Sequence, residues 1–220
     1  FGIAEVQFRE IERARENVFD LVAYLTAQDI AHTLAHPFHP VNDRLTIEHV
    51  EQCMLLFRNF ELNGNQGEIV NSFIRQILAH LSPADIDRLA ERHGISPRFP
   101  EPWRKGFTGG SDDHSSITIA HSFTEAAGAD NVGELLSAIK KRQAQVMAAT
   151  PSSPLTLAQN IYGVAFQYYK NRFNLGKHFQ HTLLMQFLDR MLQVRERKEP
   201  PFTTRIYHRW KRRSGAPPNG

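Results

Sequence analysis

The chain contains a single cysteine, Cys53. No internal disulfide can form, and cysteine-rich zinc modules are excluded. That usage agrees with a cytoplasmic setting. No apolar stretch approaches the roughly 18–20 residues that a membrane-spanning helix requires. No basic segment followed by an apolar core opens the sequence either, so neither a membrane location nor secretion is expected. Acidic residues are scarce near the C-terminus: residues 195–213 hold eight Lys/Arg against two Glu, a net of +6, while the whole chain carries only +3. The remainder is therefore acidic, at −3, and the basic character belongs to the end of the chain. Composition is otherwise ordinary for a globular protein, with 41% hydrophobic and 22% charged residues among 220. Phe1 opens directly into a patterned segment, as expected for a piece of something longer.

Residues 8–27 carry Ile11, Ala14, Val18, Leu21, Val22 and Leu25 at helical spacing, which predicts one amphipathic helix ended by Asp29. A short apolar run follows from Ile30 to His36. His32 and His36 are four apart, a zinc-pair spacing on a helix. Pro37 argues against the helix, because the residue before a proline is pushed out of the α region. The run is expected to be a short buried strand with His36 at its C-terminal end. Thr46 caps a helix bearing Ile47, Val50, Met54 and Phe57. Phe60 to Gly64 reads as a strand entering an Asn-Gly turn. A helix is predicted over 67–81, and Ser82-Pro83 opens another that Gly94 closes. Residues 95–108 read as loop. Ile117, Ile119, His121 and Phe123 alternate as on a strand, and Asn131 starts a helix ending at Lys140-Lys141-Arg142. This order predicts an α/β fold with mostly parallel strands.

After Pro151-Ser152-Ser153-Pro154 the character changes. Residues 155–173 and 177–194 read as two helices joined at Asn174-Leu175-Gly176, the first carrying Tyr162, Phe166, Tyr168, Tyr169 and Phe173. An αα-hairpin packed on the body or on a partner accounts for them; a ligand-binding aromatic surface is the alternative. The expected divisions are 1–150, 151–196 for the hairpin, and 197–220 for a basic linker or flexible tail. The tail's charge invites a nucleic-acid or anionic-membrane reading. Its charges are not interleaved with a stacking platform, and Trp210 alone is not one, so nucleic acid is not expected as a partner.

The stretch around which the chain is organised is Gly109-Gly110-Ser111-Asp112-Asp113-His114-Ser115. On an extended segment, Asp112 and His114 face the same side and offer a carboxylate oxygen and an imidazole nitrogen, a good start for a divalent-metal site. The same residues also suit a polar turn in which the carboxylate caps backbone N–H groups. His49, His80 and His93 fall on amphipathic helices as surface or boundary residues. His39 and His121 lie near the candidate site in sequence, and Cys53 sits within a helix as a core residue rather than a nucleophile.

Ala35-His36-Pro37 at a strand end, Glu61-Leu62-Asn63-Gly64, and Gly110-Ser111-Asp112-Asp113-His114, in this order, resemble the PHP (polymerase and histidinol phosphatase) superfamily over about residues 1–145. Ala35-His36-Pro37-Phe38, Asn42 to Thr46, and Ser153-Pro154-Leu155-Thr156-Leu157-Ala158 also look like the PHP-type modules joined to bacterial glycosyltransferases. The resemblance implies a distorted (β/α)7 barrel, here partial and followed by the helical hairpin. It implies Zn, Mn or Fe ions at the strand ends and hydrolysis of a phosphate ester on a small molecule. It assigns His36, Asp112 and His114 as metal ligands, with Glu61, Asn63, Asp113 and His39 as accessory residues. No His-x-His pair occurs anywhere in the chain, although the family's first strand carries one. A complete cluster would therefore need ligands from a preceding segment, and an isolated partial barrel would need a partner segment, an attached glycosyltransferase domain or self-association. The alternative is a non-catalytic PHP-like module that scaffolds or regulates such a glycosyltransferase.

Overall fold

Caps decide where most of the helices begin. The structure is a computed structural model that describes residues 3–39, 44–114, 118–148 and 153–173, together with 183, 184 and 187. The chain divides into two units, Phe1–Ile161 and Tyr162–Gly220. Thr46 accepts a hydrogen bond from the His49 N–H at the start of α3 (Ile47–Leu56). Ser82 does the same from Asp85 for α5 (Pro83–His93), which Gly94 closes in the left-handed conformation. Asn131 accepts from Glu134 for α6 (Val132–Lys140). With α4 (Glu68–Ala79), these helices stand where the sequence predicts them. The single helix expected over 8–27 is instead two, α1 (Glu5–Ala14) and α2 (Val18–Ala27). Asn17 is the reason: its side chain accepts from the Phe19 N–H at 2.9 Å, capping α2 in place of continuing the ladder from α1.

The strands depart further from expectation. β1 (Asn59–Asn63) pairs in parallel with β2 (Gly106–Gly110), Asn59 opposite Gly106 and Asn63 opposite Gly110. The expected strand over 30–36 contributes one parallel bridge, Leu34 to Phe60. Left-handed backbone at Asp29 and His36 limits that segment. β2 begins in the stretch that reads as loop, 95–108, and runs into the Gly109-Gly110 motif. Its glycines disguise it, and packing explains them: a Cβ on Gly106 would lie 2.2 Å from Asn59 Oδ1, and one on Gly110 would lie 2.0 Å from Glu61 Oε1. The strand expected over 117–123 is β3 (Ser122–Glu125), with Thr118 to His121 in a turn around a left-handed Ala120. β3 pairs antiparallel with β4 (Gln145–Ala148), which the sequence does not announce. Among the described residues two pairings are thus parallel, the Leu34 bridge included, and one is antiparallel. The fold is α/β, and no barrel closes among the described residues.

The core collects on β1. Phe60 and Leu62 pack with Val22 of α2, Val50 and Met54 of α3, Phe57, and Ile74 and Leu78 of α4. Apart from Phe57 these are the inward positions of strand and helices, and their burial drives docking of the helices on the sheet. The last described element is α7 (Pro154–Arg172). Within the second unit, Tyr169 and Phe173 stack at 6.0 Å, and Lys170 lies 5.9 Å over the Phe166 ring. Most of the second expected hairpin helix and the whole 197–220 tail lie outside the described residues. Among the described residues, no helix is long and apolar enough to cross a membrane.

Candidate functional site

Parallel pairing puts the C-terminal ends of the Leu34 segment, β1 and β2 side by side. His36 follows the first, Glu61 and Asn63 end the second, and Asp112 follows the third. The backbone then bends sharply: His36 has φ +30° and Asp112 has φ +46°. Non-glycine residues seldom adopt this region, which costs about 1–3 kcal/mol and gathers at sites where geometry is over-determined. The left-handed Asp112 removes the extended-strand argument for facing Asp112 and His114 the same way. Their side chains meet nevertheless, with His114 Nε2 at 3.3 Å from Asp112 Oδ1.

The other carboxylate oxygen is held from β1: the Asn63 side-chain amide donates to Asp112 Oδ2 at 2.8 Å. Asn65 donates to the Asp112 carbonyl at 3.3 Å. Glu61 turns to the neighbouring segment and accepts from the His36 backbone N–H at 2.8 Å. His39 donates its N–H to the His36 carbonyl, and the two imidazoles meet edge to face at 5.7 Å. Asp113 is half-buried beside Asp112. A cavity of about 300 Å³ beside His36 is lined by His39, Arg44, His49, Cys53 and Phe60. Burial pushes the Cys53 thiol up to about 11, which keeps it protonated and unreactive at neutral pH. Of the three sequence-predicted ligands, Asp112 and His114 meet through their side chains, whereas His36 meets only the accessory residues Glu61, through its backbone N–H, and His39. Among the described residues no three His, Cys, Asp or Glu side chains converge on one point.

Two features escape sequence reading. The first is a set of amides behind the site. Asn71 of α4 accepts from the Asn63 N–H at 3.1 Å and donates to the Asn63 carbonyl at 2.8 Å, acting as a substitute neighbouring strand. Asn160 of α7 donates to Asn65 at 2.9 Å and to Thr118 at 3.2 Å. The density of Asn around Asn63-Gly64-Asn65 was the available signal, but it reads equally as a turn. The second is Lys105, just ahead of β2. Its ammonium donates to the carbonyls of Met54 and, at 3.0 Å, Phe57 at the end of α3. It also lies 4.9 Å over the Phe99 ring and 5.6 Å over Phe60. Burial, and then the charge of Arg142, pull its pKa down to about 7. Comparison with protein-family models, curated proteins and solved structures gives no significant match.

Proposed function

We propose that the chain carries part of a PHP-like, partly formed (β/α)7 barrel whose strand-end residues belong to a divalent-metal phosphoesterase site. The supporting observation is the parallel register that aligns the ends of the Leu34 segment, β1 and β2, with His36, Glu61, Asn63 and Asp112 following one another along that edge. The donor chemistry at Asp112 and His114, a carboxylate oxygen and an imidazole nitrogen, suits one corner of a Zn, Mn or Fe site. When bound there, such an ion supplies a hydroxide nucleophile and charge neutralisation for a phosphate ester. The described residues alone do not fit a multinuclear cluster. His36, Glu61 and Asn63 orient the strand ends around the corner.

A second reading, a non-catalytic scaffold attached to a glycosyltransferase, is favoured by one observation. Both Asp112 oxygens already have partners within the chain, Asn63 and His114. Elemental analysis of the purified chain against Asp112→Ala/His114→Ala separates the two. The site reading expects one or more equivalents of Zn, Mn or Fe, lost in the variant, and manganese-dependent hydrolysis of para-nitrophenyl phosphate lost with it. Absence of metal after incubation with each ion, with folding intact, leaves the scaffold reading.

A further inference from the structure

The charges divide unequally between the two units. Residues 1–161 hold 14 Lys/Arg and 20 Asp/Glu, whereas residues 162–220 hold 12 and three, so the first carries −6 and the second +9. α7 has no acidic residue along its length and ends with Lys170 and Arg172. Four of the five aromatics from Tyr162 to Phe173 share one side, and Tyr168, also exposed, lies away from it. Tyr162, Phe166, Tyr169 and Phe173 recur at four- and three-residue steps, so at 100° per residue they fall within about 60° of one another on one stripe. Three of the four rings are open to solvent, Tyr162 70%, Tyr169 55% and Phe173 63% exposed, and Phe166 is half-buried between them. Lys170 and Arg172 project about 80° to either side of it. Lys170 folds over the Phe166 ring, and Tyr169 and Phe173 stack. Further on, Leu183, Leu184 and Phe187 are also exposed and helical.

We propose that this stripe docks on the surface of an anionic lipid bilayer. Tyrosine and phenylalanine rings favour the boundary between headgroups and acyl chains, where a ring's apolar body and a tyrosine's hydroxyl are both accommodated. Lysine and arginine beside them lay their stems along the rings and lift their charges to the lipid phosphates. A nucleic acid would reward the positive charge but would leave the aliphatic positions Leu183 and Leu184 without a partner. The contact lies on the surface and does not span, since no described helix can cross a bilayer. The basic run 195–213 adds long-range attraction, and the stripe adds the apolar hold that the run lacks. The proposal is independent of the metal-site reading.

The test is vesicle co-sedimentation of the full chain, using phosphatidylcholine alone and phosphatidylcholine with about one-third phosphatidylserine. Binding is expected to the second composition only. Each cation near such a surface contributes about fivefold in partitioning, so Lys170→Gln/Arg172→Gln weakens binding about 25-fold. Tyr169→Ala/Phe173→Ala weakens it about tenfold while leaving the salt dependence unchanged. Far-ultraviolet circular dichroism verifies that both exposed-site variants keep their helix. The proposal is overturned if no vesicle binds. It is equally overturned if both variants bind like the parent while deletion of 197–220 abolishes binding, or if duplex DNA at equal phosphate concentration displaces the vesicles.

Discussion

Two adjacent glycines in β2 meet different neighbours, and a methyl group on each would report the difference. A Cβ on Gly109 would lie 2.6 Å from the backbone carbonyl oxygen of Phe123, which cannot move without shifting β3. Gly109→Ala is expected to destabilise by about 1–3 kcal/mol, as overpacking does. A Cβ on Gly110 meets instead the tip of the Glu61 side chain, which can swing away. Gly110→Ala should change stability by less than about 1 kcal/mol while releasing the His36 N–H from Glu61. Urea denaturation measures the first effect, and faster amide hydrogen exchange at His36 measures the second. Equal destabilisation by the two substitutions would contradict this account.

At the scale of elements, α4 is joined to β1 by Asn71 as well as by Ile74 and Leu78. Asn63 is fully buried, so Asn71→Ala strands its buried N–H and leaves its carbonyl with the Gln66 N–H alone, at 3.2 Å. A stranded buried donor costs about 1–3 kcal/mol, and a loss of that size is expected, seen as a lower urea midpoint at unchanged slope. Asn71→Asp keeps the acceptor and should fall between. The elements themselves were unevenly legible. α3, α5 and α6 announce themselves through Thr46, Ser82 with Pro83, and Asn131, because a cap is a local interaction that sequence displays directly. β2 was hidden because its residues answer to partners that are distant in sequence: Asn59 leaves no room for a side chain at Gly106, and the Phe123 backbone leaves none at Gly109. The break between α1 and α2 was hidden because Asn17 lies within a continuous apolar period. For the candidate site, the strand-end positions of His36, Glu61 and Asn63 could be read from Pro37 and from the Asn-Gly turn. The commitment of Asp112 to Asn63 could not, because it depends on the register between two strands.

For the molecule as a whole, titrating groups place maximum stability on the alkaline side. Lys105 has a folded pKa of about 7 against its ordinary 10.5. Between those values the unfolded chain binds a proton that the folded chain does not, so stability rises with pH across that window. The carboxylates act at the other end. The His93 hydrogen bond lowers Glu51, Lys140 lowers Asp29, Ser82 lowers Asp85 and Arg104 lowers Glu101. Their contribution is present above the ordinary carboxylate range and is lost as pH falls through the depressed folded values. Urea midpoints should therefore increase from pH 7 to 10 and decline below about pH 4. Lys105→Met should abolish the alkaline rise and leave the acid limb in place; a rise that survives this substitution would assign it to other groups.

The amide that braces Asp112 also belongs to an Asn-Gly pair, the dipeptide most prone to spontaneous deamidation. That reaction requires the glycine nitrogen to attack the asparagine side chain through a succinimide ring. In the folded chain the Gly64 N–H is held by the Gly110 carbonyl at 2.7 Å, and the Asn63 side chain is enclosed. Unfolding removes both restraints. Each excursion thus exposes the molecule to a chemical ageing that refolding cannot reverse. The lesion would replace a donor to Asp112 with a second carboxylate. The lifetime of the strand-end arrangement is in this sense set by the fraction of time the chain spends unfolded, as well as by the strength of its contacts.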